Sequence, residues 1–155
     1  MAISRLGIDL VPFSRVDRML ADNPEALTRR MLTPREIPLC FPGGVPDVPG
    51  IAGRLAAKEA VFKLFHTSSG PLPWRDIDIG KERGGRPVVR LGGRAGELAR
   101  QAGIGHIEIS IAHDEPCAIA VAGAVCAGPT DERTEHEQQW NRGGSGLDPG
   151  PESGP

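Results

Sequence analysis

The segment from Ile51 to Phe65 runs without a proline in a chain that carries 15 prolines and 21 glycines. At about 100° per residue its apolar residues Ile51, Leu55, Val61, Phe62 and Phe65 fall within one broad arc, the pattern of a helix with one face on a core. The remaining periodic segments are too short to form a second layer of long helices. Arg5 to Val11 runs apolar as a short strand would. Ile77–Glu82 and Arg86–Leu91 flank the turn-prone Arg83-Gly84-Gly85 as a hairpin. Ile107, Ile109 and Ile111 alternate with polar neighbours, and after Asp114-Glu115-Pro116 a last strand is expected from Ala118 to Val125. The expected fold is therefore α+β, a small antiparallel sheet packed against one long central helix.

Shorter helices fit between these elements. Ser14 stands as an N-cap for a helix towards Asn23. Thr33-Pro34-Arg35-Glu36 has the Ser/Thr-x-x-Glu form of a capping box with proline at the first helical position. Cys40 to Gly50, with three prolines and three glycines, reads as a loop, and Arg94 to Ala102 as a short helix. From Gly128 onward the chain is rich in Gly, Pro, Ser and acids. This gives a folded domain over residues 1–126 and a disordered acidic tail over 127–155.

Charge and composition exclude several classes. The net charge of −2 is uneven: 127–155 holds six acids against two arginines, −4, which leaves +2 on the rest. That surplus is too small for a nucleic-acid surface. No run approaches the roughly 18 apolar residues of a membrane span, so a cytosolic protein is expected. The three cysteines, Cys40, Cys117 and Cys126, have neither disulfide nor metal-ligand spacing and read as ordinary thiols.

Four places carry candidate chemistry. Ala52, Ala56 and Ala60 make a small-residue face on the central helix, with Glu59 and Lys63 one turn apart on the same side. Those two read either as a solvated ion pair or as a metal ligand beside an anion-binding ammonium, with small neighbours leaving room for both. Asp9 interrupts an apolar run, so it caps a turn, pairs with a cation or binds a metal. His113 stands where the isoleucine strand gives way to a polar turn, as a ligand-binding or a plain surface histidine. Arg54 and Lys58, on another helix face, can meet phosphate or simply be solvated.

In order along the chain these residues resemble the holo-acyl-carrier-protein synthases among the phosphopantetheinyl transferases. Gly7-Ile8-Asp9 resembles the family's opening Gly-hydrophobic-Asp motif, Arg30 to Glu36 its R-x-L-T-x-x-E segment, and Ala52 to Lys63 its signature helix. Trp74 to Ile79, Gly85-Arg86-Pro87 and Ile109 to Asp114 are similar to its W/F-x-D-I-x-I strand, its G-K/R-P turn and its V-S-x-x-H-x segment. The resemblance spans roughly Leu6 to Val125.

The resemblance implies transfer of 4'-phosphopantetheine from coenzyme A to a serine of an apo acyl carrier protein. Asp9 and Glu59 would hold Mg²⁺ on the pyrophosphate, with a carboxylate or a metal-bound water near Glu59 taking the serine proton. Lys63 would neutralise the departing adenosine 3',5'-bisphosphate, with Lys58 assisting. Arg54, Pro87 and His113 would line the nucleotide end of the coenzyme A site. The resemblance also implies a homotrimer with sites at its interfaces, and a carrier protein held by Arg15, Arg18 and Met19. It leaves two rival roles: a transferase dedicated to a polyketide or peptide synthase carrier, and a non-catalytic carrier-binding subunit. Two departures stand out: His66 to Gly70 replaces a more glycine-rich turn, and Asp22 and Glu25 follow the arginines of the first helix.

Overall fold

The computed structural model describes residues 3–65 and 73–126. The expectations for the turn at His66 to Gly70 and for the tail from residue 127 lie outside them.

Strand β1 (Ile3–Pro12) pairs antiparallel with β5 (Cys117–Cys126), and β5 pairs antiparallel with β4 (Ile104–Asp114), giving a sheet of order β1-β5-β4. β2 (Ile77–Lys81) and β3 (Pro87–Leu91) form a separate antiparallel hairpin. Helices α1 (Phe13–Asp22), α2 (Pro24–Ala26), α3 (Ile37–Cys40), α4 (Val48–Leu64) and α5 (Gly93–Gln101) fill the connections. The α+β architecture expected from the sequence is present, with α4 as its centre.

The sheet and α4 meet through small residues. Alternation along β5 puts Ala118, Ala120, Ala122 and Ala124 on one face, all buried, while Ala52, Ala56 and Ala60 of α4 have no exposure. Helix and strand therefore approach closely, and the alanine face read as room for ligands is filled by this contact. β1 comes as near. A Cβ on Gly7 would lie 2.0 Å from the Ala60 carbonyl oxygen and 3.2 Å from Lys63 Cβ, so only glycine fits that position. The glycine of the Gly-Ile-Asp motif is thus the point where β1 docks on α4. It brings Asp9, two residues on and on the same face of the strand, beside the helix.

Four local expectations are corrected. Ser14 lies inside α1 and makes no cap; Pro12 precedes the helix, and the Phe13 amide donates to the Pro116 carbonyl at 2.9 Å. The segment at Cys40 to Gly50 is not all loop. α4 starts at Val48 because Pro49 is tolerated in a first turn and the Asp47 side chain accepts from the Gly50 amide at 3.1 Å. The Thr33–Glu36 box forms both its bonds, from the Thr33 amide to Glu36 at 2.7 Å and from the Glu36 amide to Thr33 Oγ1 at 3.2 Å, yet its residues make a turn and α3 begins only at Ile37. β4 runs on to Asp114, so His113 is a strand residue opposite Ala118, not the first residue of a turn.

Candidate active site

Asp9, Glu59 and Lys63 are brought together where β1 crosses the C-terminal half of α4. Lys63 Nζ donates to Asp9 Oδ1 at 2.9 Å and also to the Ile8 carbonyl. The Asp9 side chain keeps 19% of its exposure and that of Lys63 50%, so the pair is open to solvent on one side. Burial raises the Glu59 pKa above the ordinary carboxylate value; the negative charge of Asp9 adds to this, while Arg15 and Lys63 oppose it. Glu59 thus lies within electrostatic reach of Asp9, and Arg15 on α1 within reach of Glu59. Arg15, Arg18 and Met19 lie at i, i+3 and i+4 on one face of α1, the two arginines exposed and Met19 half-buried.

The chemistry of the donor set fits Mg²⁺. Two carboxylates stand within electrostatic reach of each other, and the described residues hold no group of three or more His, Cys, Asp or Glu able to enclose a metal. Magnesium takes one or two protein carboxylates and completes its octahedron with water and substrate phosphate, so an open two-carboxylate site suits it better than an all-protein cage would.

Arg54, Pro87 and His113 meet elsewhere. With Gly53, Gly80, Lys81, Gly85 and Ile111 they line one depression between the N-terminal half of α4, the hairpin and β4. Arg54 Nη1 donates to the Gly50 carbonyl at 3.1 Å, but its Nε is buried without a hydrogen-bond partner. A buried guanidinium nitrogen left unpaired calls for an acceptor, and Arg54, Lys81 and His113 together favour an anion. Lys81 was not singled out in the sequence; its signal is its place just before the Gly85-Arg86-Pro87 turn. Nine residues separate Arg54 from Lys63, about 13 Å along the axis and about half a turn around it. The depression and the carboxylate pair of one chain therefore lie on opposite faces of α4.

Lys58 belongs to neither place, which corrects its expected contact with coenzyme A. It is fully buried, and its ammonium reaches Glu36 Oε2 at 2.8 Å, the Ile77 carbonyl at 2.7 Å and the Trp74 carbonyl at 3.0 Å. Burial lowers its pKa, opposed by the Glu36 carboxylate. Glu36 also accepts from the Ile79 amide at 2.8 Å. This pair ties the Thr33–Glu36 turn, α4 and β2 together, and no hydrogen is left on Lys58 for a ligand. Glu36 was read as a capping residue and as part of the R-x-L-T-x-x-E segment, but not as the partner of Lys58, which lies 22 positions away with no local pattern to signal it.

A small antiparallel sheet is thus wrapped on one helix, with two carboxylates and a lysine at the strand–helix crossing and a basic, anion-suited depression apart from them. The 4'-phosphopantetheinyl transferase superfamily matches residues 5–122. The holo-[acyl-carrier-protein] synthase of Moorella thermoacetica is 42% identical over 116 residues, covering 75% of this chain and 89% of that protein. That of Geotalea daltonii is 38% identical over 116 residues, covering 74% and 92%. Among solved structures, Helicobacter pylori holo-[acyl-carrier-protein] synthase in complex with coenzyme A superposes with a TM-score of 0.67 at 31% identity, over 77% of this chain and 99% of that one. The chain belongs to the 4'-phosphopantetheinyl transferase superfamily and, within it, to the holo-[acyl-carrier-protein] synthases.

Proposed function

We propose that the protein transfers 4'-phosphopantetheine from coenzyme A to a serine of an apo acyl carrier protein, releasing adenosine 3',5'-bisphosphate. The observation that carries this reading is the convergence of Asp9, Glu59 and Lys63 at one crossing of strand and helix. Asp9 and Glu59 are the residues that would hold Mg²⁺, whose charge, when bound, stabilises the diphosphate as its bond breaks. The serine hydroxyl attacks the β-phosphorus and gives its proton to a carboxylate or a water near Glu59; a new phosphoester bond forms, and the bond to the adenosine bisphosphate breaks. Lys63 meets the charge that builds on the leaving phosphate. Arg54, Lys81 and His113 bind the nucleotide phosphate, with Pro87 beside it, and the unpaired Arg54 Nε supplies one donor. The exposed arginines Arg15 and Arg18, beside Met19, receive the acidic carrier and set its serine next to the carboxylates.

The family resemblance implies a homotrimer with sites between subunits, and two observations support assembly of this kind. The basic depression and the carboxylate pair of one chain face apart, so one coenzyme A uses the two from neighbouring subunits. The sheet also carries an apolar patch on the side away from α4, with Leu6, Ile8 and Leu10 of β1 at 65%, 55% and 50% exposure opposite Gly123, Val121 and Ile119 of β5. No helix of the described residues is long and apolar enough to cross a membrane, and the reaction belongs in the cytoplasm, where coenzyme A and carrier proteins meet.

The test is the intact mass of a purified apo acyl carrier protein after incubation with this protein, coenzyme A and Mg²⁺, beside a chelator control. A metal-dependent gain of one phosphopantetheine is expected. No gain on fatty-acid, polyketide or peptide carriers would overturn the reading. In the same assay Glu59→Gln is expected to lose at least about 100-fold in rate while keeping its melting temperature; near-normal turnover at saturating Mg²⁺ would remove Glu59 from the site.

A further inference from the structure

Asp9 is already neutralised. Its carboxylate holds Lys63 Nζ at 2.9 Å, and the same ammonium is anchored on the Ile8 carbonyl. With Arg15 acting on Glu59 as well, two acids and two bases stand at the crossing, a locally neutral set. A divalent cation arriving at Asp9 would lie about 4 Å from that ammonium. The two like charges would repel across that distance, more strongly at the protein surface than in bulk water. The root of Lys63 cannot move away, because its Cβ is packed against Gly7 where β1 docks. Its ammonium end, half exposed on a four-carbon stem, can.

Resting on the assignment of Asp9 and Glu59 as the cation-holding carboxylates, we propose that Lys63 is the resident counter-ion of Asp9 and that a diphosphate ester, by drawing the ammonium onto its own oxygens, opens Asp9 to the divalent cation. Cation and diphosphate therefore load together. The free protein binds the cation weakly, coenzyme A strengthens that binding, and by linkage the cation strengthens coenzyme A binding by the same factor. Lys63 is then the residue that sets the coupling, apart from any part it takes in transfer.

Mn²⁺ titrated into the full chain, with free Mn²⁺ read by its electron paramagnetic resonance signal, tests this without turnover. In the wild type, saturating coenzyme A is expected to tighten Mn²⁺ binding at least about tenfold. Lys63→Met should bind Mn²⁺ alone about tenfold more tightly than wild type and gain correspondingly less from coenzyme A. Lys63→Arg, which keeps the charge, should behave as wild type, and Lys63→Gln replaces Lys63→Met if the latter does not fold. If neither neutral variant binds Mn²⁺ alone more tightly than wild type, or if coenzyme A leaves wild-type Mn²⁺ affinity unchanged, the proposal fails. Asp9→Asn separates this from the assignment beneath it: unchanged Mn²⁺ binding there would refute the cation site. A failed mass assay with coupled Mn²⁺ binding would refute only the transfer reaction.

Discussion

Lys58 spends all three ammonium hydrogens inside the protein, on Glu36 and on the carbonyls of Trp74 and Ile77. Removing it would strand a buried carboxylate, so Lys58→Met is expected to lower unfolding free energy by about 3–5 kcal/mol. Glu36→Leu should cost at least as much, since the Thr33 and Ile79 amides lose their acceptor with it. Urea denaturation measures both, and a loss below about 1 kcal/mol would mean the pair is not the tie described. Neighbouring Cys40 shows the same desolvation: burial pushes its thiol up from 9.0 to about 11. The folded chain holds that proton more tightly than the unfolded chain. The stability it contributes is full below pH 9 and is lost as pH rises through about 11. Iodoacetamide at pH 8 should modify Cys40 at least about 100-fold more slowly in the native protein than in urea, read by peptide mass; equal rates would contradict its burial. At this scale the sequence was legible where chemistry repeats locally. Asp9 was singled out as an acid inside an apolar run, Glu59 and Lys63 by their spacing beside a small-residue face, and the structure brings Lys63 onto Asp9. Lys58 was misplaced because its charge suggests a ligand, whereas only the three-dimensional path of the chain supplies its buried partner.

Elements read well where one period dominates, and poorly at their ends. α4 was legible from its apolar arc, yet it begins at Val48 because a proline in a first turn is compatible with a helix and Asp47 caps it. The short turns after α1 carry no period, and neither α2 nor the π-turn at Leu27–Met31 was anticipated. What no pattern predicts is the distance between elements. The β1–α4 approach depends on a missing Cβ at Gly7, which would otherwise sit 2.0 Å from a backbone oxygen that cannot rotate away. Gly7→Ala must push strand from helix and is expected to cost about 3 kcal/mol or more. Since Asp9 and Lys63 flank that contact, the variant should also weaken Mn²⁺ binding in the presence of coenzyme A. A melting temperature within about 2 °C of wild type would show that the contact tolerates a methyl group.

For the whole molecule, the apolar patch on β1 and β5 stays exposed among the described residues of one chain. Leu6, Ile8 and Leu10 alternate with the inward residues Gly7, Asp9 and Val11, so the strand that positions the carboxylate also presents the patch. In the proposed trimer, assembly and catalysis would be linked through one strand: covering its outer face would fix the residues on its inner one and bring another subunit's basic depression near. A charge on this patch should separate the subunits without touching the inner face. Val121→Glu, on β5 and facing away from α4, is expected to give a monomer by light scattering at micromolar concentration, where the proposed assembly makes the wild type a trimer. The fold should survive, because a 41% exposed side chain leaves the alanine contact with α4 intact. Coenzyme A affinity should fall at least about tenfold in the same sample, if, as proposed, one chain alone supplies only half of the pocket. A monomeric variant that binds coenzyme A as the wild type does would show that each chain holds a complete site, and the division of the site between subunits would be wrong even though the trimer stands.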